Sequence, residues 1–392
     1  MAAGPPRKIF LVATEESGDR LAAGLMMVLR QRLGDAVRFE GVGGLAMARQ
    51  GLVSLFPIEE LSIMGFTAVG RKLPMILRRI RETADAAIAA MPDIMVIVDS
   101  PDFTHRVARC VRARAPAIPV IDYVAPTVWA WRPGRARAMR RYIDHVLALL
   151  PFEPEAYRRL EGPPCTYIGH TLIEQIGSLR PNAEEQQRRD AQPPVLLVLP
   201  GSRRSEIRHH MAVFGETLRL LREQGTAFEP VLPTMPHLLD PVREGIANWA
   251  VQPRIAVGED EKKAAFRIAR AAFAKSGTVT LELALAGVPM IGAYRAGPVE
   301  MWIALTLART PSVILANLVI GENVVPEFMQ RDASPGKLAA ALRDVLEDTP
   351  LRRRQLDAFA RLDAIMAIGS QSPSVCAADI ILETLQKAGK SA

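Results

Sequence analysis

Val195-Leu196-Leu197-Val198-Leu199-Pro200-Gly201-Ser202-Arg203 is the stretch that decides the predicted fold. An unbroken apolar run that ends in Pro-Gly is typical of a strand buried on both faces of a parallel sheet. After it, Gly201 lets the backbone approach a ligand, Ser202 can cap a helix, and Arg203 offers a charged fork for phosphate oxygens. The stretch predicts an anion-binding loop, although a capped helix with a surface arginine explains it equally well when it is taken alone.

The composition is that of a large globular protein. The chain has 392 residues, of which 49% are hydrophobic and 23% charged, enough for two or three domains. Cys110, Cys165 and Cys376 stand far apart without a metal-binding pattern, so we expect a reducing cytoplasm, no disulfide framework and no metal. Residues 1–6 lack the features of a signal peptide and no apolar run approaches eighteen residues, so we expect no membrane span.

The net charge of +7 predicts anionic partners, which include nucleic acid, acidic lipid and phosphorylated small molecules. Aromatic residues make up only 5% of the chain, and no nucleic-acid-binding module is recognisable. Nucleic acid is therefore the least favoured of these partners.

Polar residues follow the first predicted strand, at residues 8–13. The turn at 14–19 contains Glu15, Ser17 and Asp19 and precedes a helix predicted from about residue 20 to 33. Ligands of doubly wound sheets bind at the carboxyl ends of strands, so this turn lies where chemistry is expected. Helix capping is the alternative interpretation for Ser17 and Asp19.

A second buried strand, at residues 94–98, delivers Asp99 to the same edge of the sheet. Asp102 stands where a helix cap is expected, whereas Asp99 has no local partner. Asp99 is therefore a general-base candidate, with a structural aspartate as the alternative.

The loop at 125–135 holds two of the four tryptophans, Trp129 and Trp131, beside Arg132. Such a loop favours contact with a sugar face, an acyl chain or a partner surface. His170 follows a glycine and is a weaker candidate, because a lone histidine is more often structural than catalytic.

Residues 61–81 alternate apolar and basic side chains, as an interfacial membrane segment does. A core-packed amphipathic helix with a basic face is the alternative. In the membrane interpretation the apolar contacts are Phe66, Val69, Leu73, Met75, Ile76 and Leu77, and the basic contacts are Arg71, Lys72, Arg78, Arg79 and Arg81.

Residues 41–46 match a loose dinucleotide-binding pattern, Gly-x-Gly-x-x-Ala. The pattern does not follow the first strand, and Gly51 stops its helix within two turns. We therefore do not predict a nicotinamide cofactor.

The second half repeats the alternation of strands and helices after a polar segment at 178–194, which we interpret as a linker. The strand at 271–275 runs into Ser276-Gly277-Thr278, a second glycine turn that opens a helix. Glu282, one turn into that helix, is placed to accept hydrogen bonds from ribose hydroxyls, unless it only complements the helix dipole.

These parts predict an α/β protein with two doubly wound, parallel-sheet domains of Rossmann-like topology. The predicted boundaries are an acceptor domain at 1–177, the linker at 178–194, a donor domain at 195–350 and C-terminal helices at 351–392. A base in the first domain and an anion site in the second suit a nucleotide-sugar glycosyltransferase. The sequence contains no Asp-x-Asp, so a metal clamp is not required, and one base favours inverting displacement.

Seven ordered motifs resemble those of the lipid-A-disaccharide synthase family, over nearly the whole chain. They are Thr14-Glu15-Glu16-Ser17-Gly18-Asp19, Asp99-Ser100-Pro101-Asp102-Phe103, Val128-Trp129-Ala130-Trp131-Arg132, Ile168-Gly169-His170-Thr171, Pro200-Gly201-Ser202-Arg203, Ser276-Gly277-Thr278 and Asn317-Leu318.

The resemblance implies transfer of diacylglucosamine from UDP-diacylglucosamine to diacylglucosamine phosphate, by a peripheral protein on the cytoplasmic face of a Gram-negative inner membrane, without a cofactor. It implies that Asp99 is the base, with Glu15 near the reacting sugars. It also implies that Arg203 and Ser276 bind the diphosphate, and that Glu282 and Asn317 face the nucleoside. The resemblance further implies a glycosyltransferase-B fold in which the C-terminal helices return to the first domain. It also implies a homodimer.

Three residues depart from the family pattern: Thr14 replaces glycine, Glu16 replaces alanine and Ala316 replaces proline. Glu16 adds negative charge beside the expected sugar site. Two other functions remain open at this point, a nucleotide-sugar epimerase of similar fold and a non-enzymatic basic protein of lipid surfaces. The latter leaves Asp99, Arg203 and Glu282 without roles.

Overall fold

The computed structural model describes residues 6–61, 66–297, 310–369 and 371–390, and only the backbone at 66–72 and 388–390. The chain divides into a first unit, residues 1–170 together with 368–392, and a second unit, residues 171–367. Each unit contains one six-stranded sheet in which every strand pair is parallel. The prediction of two doubly wound α/β domains is confirmed.

The sheet of the first unit has the strand order β2-β1-β3-β4-β5-β6. Its strands are β1 (Arg7–Ala13), β2 (Val37–Val42), β3 (Ile94–Val98), β4 (Val120–Tyr123), β5 (His145–Ala148) and β6 (Cys165–Tyr167). The helices of its continuous part are α1 (Glu16–Leu33), α2 (Leu45–Arg49), α3 (Phe66–Ala90), α4 (Pro101–Arg114), α5 (Gly134–Met139) and α6 (Glu153–Arg159).

The second unit begins with the short helices α7 (Ile176–Leu179) and α8 (Ala183–Asp190). Its strands, in the spatial order β12-β11-β10-β7-β8-β9, are β7 (Val195–Leu199), β8 (Glu229–Thr234), β9 (Arg254–Val257), β10 (Ala271–Lys275), β11 (Met290–Tyr294) and β12 (Glu327–Met329). Its further helices are α9 (Arg204–Glu223), α10 (Leu239–Ile246), α11 (Glu259–Ile268), α12 (Val279–Leu285), α13 (Leu315–Ile320), α14 (Pro335–Leu346), α15 (Pro350–Ala360) and α16 (Leu362–Ile365).

The central strands are buried on both faces, as their unbroken apolar runs predict. All five residues of β3 and all five of β7 are buried. Helices cover both faces of each sheet with apolar side chains, for example Leu25 and Met26 of α1 and Phe214 of α9. The chemistry of each unit is thereby restricted to the ends of its strands.

The last helix, α17 (Pro373–Lys390), packs against α1 in the first unit, so the predicted return of the C-terminal helices is confirmed for this helix. The return begins at residue 368 rather than at 351. Helix α15 stays in the second unit, because buried Gln355 bonds to both backbone groups of Met290 and Arg352 donates to the carbonyls of Arg270 and Val345.

The predicted linker at 178–194 is wrong, because this segment is an integral part of the second unit. Helix α8 begins with a capping box formed by Asn182 and Glu185. Buried Arg189 donates to the carbonyls of Phe266 at 3.0 Å and Ala286 at 3.2 Å. Polar contacts hold the helix, so its sequence lacks the apolar periodicity that identifies a packed helix.

Helix α1 begins at Glu16, four residues earlier than predicted, so neither Ser17 nor Asp19 caps it. Asp19 is buried and instead caps α2, accepting the amides of Gly44 and Ala46, each at 2.8 Å, and Met47 at 3.1 Å. The amides of Gly44 and Ala46 belong to the Gly-x-Gly-x-x-Ala turn at 41–46, so the chain's own carboxylate occupies that turn.

Within the described residues, every helix is either too short or too polar to cross a bilayer.

We predict that Asp19→Ala destabilises the first unit by roughly 2 kcal/mol, because two half-buried amides and one buried amide lose a charged acceptor. Chemical unfolding followed by circular dichroism measures the loss. Glu16→Ala is the matched control, since Glu16 is exposed and pairs only with Arg20 among the described residues. Equal stability of the two variants would contradict the capping role.

Candidate functional site

Four of the candidate residues, Glu15, Asp99, Arg203 and Ser276, lie where the strand order of their sheet reverses. In the first sheet the chain runs outward from β1 to β2 and then from β3 to β6, so the reversal lies between β1 and β3. Glu15 follows β1 and Asp99 follows β3. In the second sheet the reversal lies between β7 and β10, which Arg203 and Ser276 follow. Such reversals open a crevice at the carboxyl ends of the strands, and ligands bind there.

Asp99 is held in a strained turn at the end of β3. Its φ angle is 54° and that of Ser100 is 45°, both in the left-handed region that non-glycine residues rarely adopt. Its amide donates to the Tyr123 carbonyl at 3.0 Å, and its carbonyl accepts from the Thr104 hydroxyl at 2.7 Å. The backbone of Asp99 is thus fixed, while the carboxylate remains available at the edge of the sheet.

Burial raises the pKa of the Asp99 carboxyl. A hydrogen bond from the Ser100 backbone opposes the shift, and the negative charges of Glu15 and Asp122 increase it. A carboxylate with a raised pKa is a stronger base than an exposed aspartate. The electrostatics of Asp99 therefore suit proton abstraction.

Glu15 and Ser17 are exposed at the start of α1, and the charge of Glu15 acts on Asp99. The close packing of α1 against the end of β3 depends on Gly18, because a Cβ at this position would lie 3.3 Å from the Val98 carbonyl oxygen. A larger residue would push α1 away from the end of β3. Asp102, which was expected to cap α4, instead lies inside its first turn, because Pro101 is already helical.

The two tryptophans of the 125–135 loop have different environments. Trp129 donates to Glu153 at 3.1 Å and packs edge-on against Phe152 at 4.9 Å, so it stabilises the first unit. Trp131 is 36% exposed, and the guanidinium of Arg132 stacks on it at 4.3 Å. Of the pair, only Trp131 presents a large apolar surface to solvent.

His170 is half-buried at the end of the continuous part of the first unit. Burial lowers its pKa to about 4, so the imidazole is neutral at neutral pH. A base of such low pKa is weak, and Asp99 is the better candidate for proton abstraction.

In the second unit, a carboxylate of the chain occupies the predicted anion-binding loop. Gly201 has a φ angle of 137°, and a Cβ there would lie 2.5 Å from that of Glu206. The Ser202 amide donates to Glu206 at 2.9 Å. Ser202 does not cap the helix, because α9 begins at Arg204 with Arg203 in the capping position. The Ser202 amide of the predicted anion-binding loop is thus bound to Glu206, a carboxylate of the chain itself.

Two cations surround this carboxylate. Lys275, at the end of β10, donates to Glu206 at 3.0 Å, and Arg203 approaches it at 3.5 Å with a side chain that is 79% exposed. Burial alone would raise the pKa of Glu206, but Lys275, the Ser202 amide and Arg203 outweigh it and hold the pKa below its ordinary value. Neither Lys275 nor Glu206 was identified in the sequence as a site residue, since their pairing joins positions 69 residues apart.

The Ser276-Gly277-Thr278 turn follows Lys275 and leads into α12, which has only seven residues. Ser276 is buried, and its amide donates to the Ala293 carbonyl at 3.0 Å. Glu282 forms an ion pair with Lys262 at 2.6 Å. A ribose hydroxyl would therefore meet a lysine–glutamate pair rather than a free carboxylate.

Asn317 is 2% exposed and uses both ends of its amide within the second unit. Its oxygen accepts from the amides of Val324 at 3.1 Å and Val325 at 2.9 Å, and its nitrogen donates to the Val325 carbonyl at 3.0 Å and to Glu327 at 3.1 Å. The expected direct contact with a nucleoside does not fit this geometry. Asn317 instead fixes the loop that follows α13.

Sequence comparisons identify the family of the chain. The family model described as lipid-A-disaccharide synthetase matches residues 9–381. The chain belongs to the lipid-A-disaccharide synthase family. It is 73% identical over 384 residues to the lipid-A-disaccharide synthase of Nitrobacter hamburgensis, covering 98% of this chain and 97% of the relative. It is 41% identical to that of Rhodospirillum centenum, covering 97% and 96%. The chain is therefore a glycosyltransferase of lipid A biosynthesis.

Solved structures show the same two-domain fold at low sequence identity. UDP-GlcNAc 2-epimerase from Neisseria meningitidis, bound to UDP-GlcNAc, matches with a TM-score of 0.58 at 13% identity, over 98% of this chain and 100% of that one. A glycosyltransferase from Rickettsia africae matches with a TM-score of 0.55 at 12% identity, over the full length of both chains. These matches support the glycosyltransferase-B-like fold, and family membership disfavours the epimerase and lipid-surface alternatives.

We predict that Asn317→Ala lowers the unfolding midpoint of the second unit by roughly 5 °C without any ligand, because buried partners lose their hydrogen bonds. Differential scanning calorimetry of the full chain measures it. Asn323→Ala, an exposed position in the following loop, is the control. A variant with wild-type stability and weakened UDP binding would instead show that Asn317 is a direct ligand.

Proposed function

We propose that the chain transfers 2,3-diacylglucosamine from UDP-2,3-diacylglucosamine to 2,3-diacylglucosamine 1-phosphate, forming the β-1,6-linked disaccharide 1-phosphate and UDP. Family membership supports the reaction class. The observation that carries the mechanism is the carboxylate of Asp99, which lies at the reversal of the first sheet with a raised pKa.

In the proposed mechanism Asp99 removes the proton of the acceptor 6-hydroxyl. The resulting oxygen attacks the anomeric carbon of the donor while the bond to UDP breaks, and UDP leaves with the bonding electrons. Direct attack inverts the configuration at that carbon. Glu15 contributes through its charge, which raises the pKa of Asp99 and so strengthens the base.

The second unit supports the departure of UDP. Arg203, Lys275 and the Ser202 amide form a positively polarised site at the end of β7, and Glu206 keeps it organised when no diphosphate is bound. We assign the diphosphate to this site, together with Gly201 and the Ser276-Gly277-Thr278 turn. For the nucleoside, we retain Glu282 as a ribose ligand through its pair with Lys262, and Asn317 as a positioning residue.

Acyl chains on both substrates favour action at a membrane surface, on the cytoplasmic face of the inner membrane. Among the described side chains of 61–81, Leu73 and Leu77 are 44% and 37% exposed, and Arg78 and Arg81 are exposed beside them. We propose that these residues contact acidic lipid. The side chains of Phe66, Val69, Arg71 and Lys72, which were expected to take part, lie outside the described ones.

Two residues of this segment do not face a membrane as expected. Arg79 is 13% exposed, forms ion pairs with Glu60 and Glu82, and stacks on Phe56 at 4.6 Å. Ile76 packs against the core. The membrane contact is therefore narrower than the sequence pattern predicts. The expected homodimer remains a separate proposal.

We predict that Asp99→Asn lowers acceptor-dependent UDP release by about 10²- to 10⁴-fold while UDP binding is unchanged, because the amide cannot accept the proton. UDP release from the donor lipid is measured with and without the phosphorylated acceptor. Asp35→Asn, exposed at the opposite edge of the first sheet, is the control. Near-full turnover of Asp99→Asn would refute its role as base.

We predict that Glu15→Gln moves the acid limb of the kcat/KM profile to lower pH. Asp99 works in its deprotonated form, and removing the charge of Glu15 lowers the pKa of Asp99, so activity persists further into acid. The profile of Glu16→Gln, an exposed neighbour paired with Arg20, is expected to match the wild type. An acid limb that moved to higher pH would contradict the proposed effect of Glu15.

A further inference from the structure

A cavity of about 350 Å³ in the first unit is lined by four arginines. Arg106 and Arg109 project from α4, Arg132 comes from the loop after β4, and Arg135 lies in α5. We name this cavity the arginine pocket. It is distinct in position from the loop at 200–203, which belongs to the second unit.

The positive charge of the arginine pocket is largely uncompensated. Within the part of the chain that the structure describes, Arg106, Arg109 and Arg132 have no carboxylate within ion-pair distance. Asp102 also lines the cavity and lies 3.9 Å from Arg135, but its side chain is 81% exposed, so solvent weakens its effect. Four guanidinium groups that converge on a cavity with a single, exposed carboxylate among its lining residues create a net positive potential there, which favours an anion.

Neutral groups hold three of the four arginines in place. Arg109 donates to the Tyr142 hydroxyl at 3.1 Å and lies over its ring at 4.7 Å. Arg135 donates to the Pro101 carbonyl at 2.8 Å, and Arg132 stacks on Trp131. These contacts orient the guanidinium planes without neutralising their charge. Fixed planar forks of this kind suit the oxygens of a phosphate group.

Buried polar side chains support the floor of the pocket. His105 is 1% exposed and lines the cavity, with its Nδ1 3.2 Å from the Tyr142 hydroxyl. Its Nε2 lies 3.0 Å from Asp122, which is also buried. The chain of contacts from Asp122 through His105 and Tyr142 to Arg109 anchors the pocket in the core of the first unit.

The pocket begins beside the proposed base. Pro101, one of its lining residues, follows Asp99 by two positions, so their Cα atoms are separated by at most about 7 Å. The acceptor carries its reacting hydroxyl on C6 and its phosphate on C1, at opposite ends of one sugar ring. If the C6 hydroxyl of the acceptor lies at Asp99, its C1 phosphate would point toward the arginine pocket.

We propose that the arginine pocket binds the phosphate monoester of the acceptor sugar and thereby selects the phosphorylated acceptor. This inference rests on the proposed function. It assigns the acceptor phosphate to Arg106, Arg109, Arg132 and Arg135, and it makes the pocket a specificity site separate from the base.

The test compares acceptor kinetics of the full chain and of Arg106→Gln and Arg109→Gln at saturating donor. Each variant is expected to raise KM for diacylglucosamine 1-phosphate by roughly tenfold or more with a much smaller effect on kcat, since a charge-assisted contact to the phosphate is lost. With the dephosphorylated acceptor, wild type and variants are expected to perform alike. Arg114→Gln is the control, because Arg114 lies on the same helix, is exposed and pairs with Asp85.

The outcomes separate this inference from the proposed function. If the wild type shows no acceptor-dependent UDP release, the proposed function fails. If the wild type is active but the variants lose activity equally with both acceptors, or raise only the donor KM, the pocket assignment fails and the function stands. Arg109→Lys keeps the charge but not the fork, and partial recovery of the acceptor KM is expected with it.

Two further measurements address other sources of the phosphate. Inorganic phosphate is expected to compete with the acceptor in the wild type and to lose this effect in Arg106→Gln. Sedimentation with phosphatidylglycerol vesicles tests a lipid headgroup as the occupant. Reduced vesicle binding by the variants, with unchanged acceptor selectivity, would overturn the proposal.

Discussion

Both candidate sites depend on sheets that are buried on both faces. Because β3 and β7 present no face to solvent, each sheet can meet a ligand only at the ends of its strands. The reversal of strand order then determines which ends border a crevice. Close packing completes the arrangement, since the missing side chain of Gly18 lets the start of α1 lie against the end of β3. This packing helps to bring the charge of Glu15 within range of Asp99.

The two crevices have opposite electrostatic characters. In the first unit, burial raises the pKa of Asp99, and the negative charges of Glu15 and Asp122 increase the shift. In the second unit, Arg203 and Lys275 converge on Glu206. Glycosyl transfer requires a base where a proton is removed and positive charge where a diphosphate departs. Glu206 accepts hydrogen bonds from Lys275 and from the Ser202 amide, so both donors are already oriented toward one point near the end of β7.

The sequence predicted those features that depend on neighbours along the chain. Apolar runs identified most of the strands, and the polar residues that end β1, β3 and β7 indicated the crevices. Contacts between distant positions were not predictable in the same way. Asp19 resembles the cap of its own helix but caps α2, and Glu206 resembles an ordinary helix residue but fills the loop before it. Polar contacts of Arg189 and Gln355 attach α8 and α15 to the second unit. The apolar periodicity of the sequence does not indicate such contacts.

The positive charge that lets the arginine pocket bind an anion would weaken the neighbouring base, Asp99. Positive charge near a carboxylate lowers its pKa and weakens it as a base. Arg106 and Arg109 face solvent, which screens their effect, whereas Asp122 is buried and acts on Asp99 at low dielectric. A bound phosphate would neutralise the arginines as the acceptor excludes water. The raised pKa of Asp99 would therefore persist in the complex, because the substrate itself supplies the negative charge that the pocket lacks.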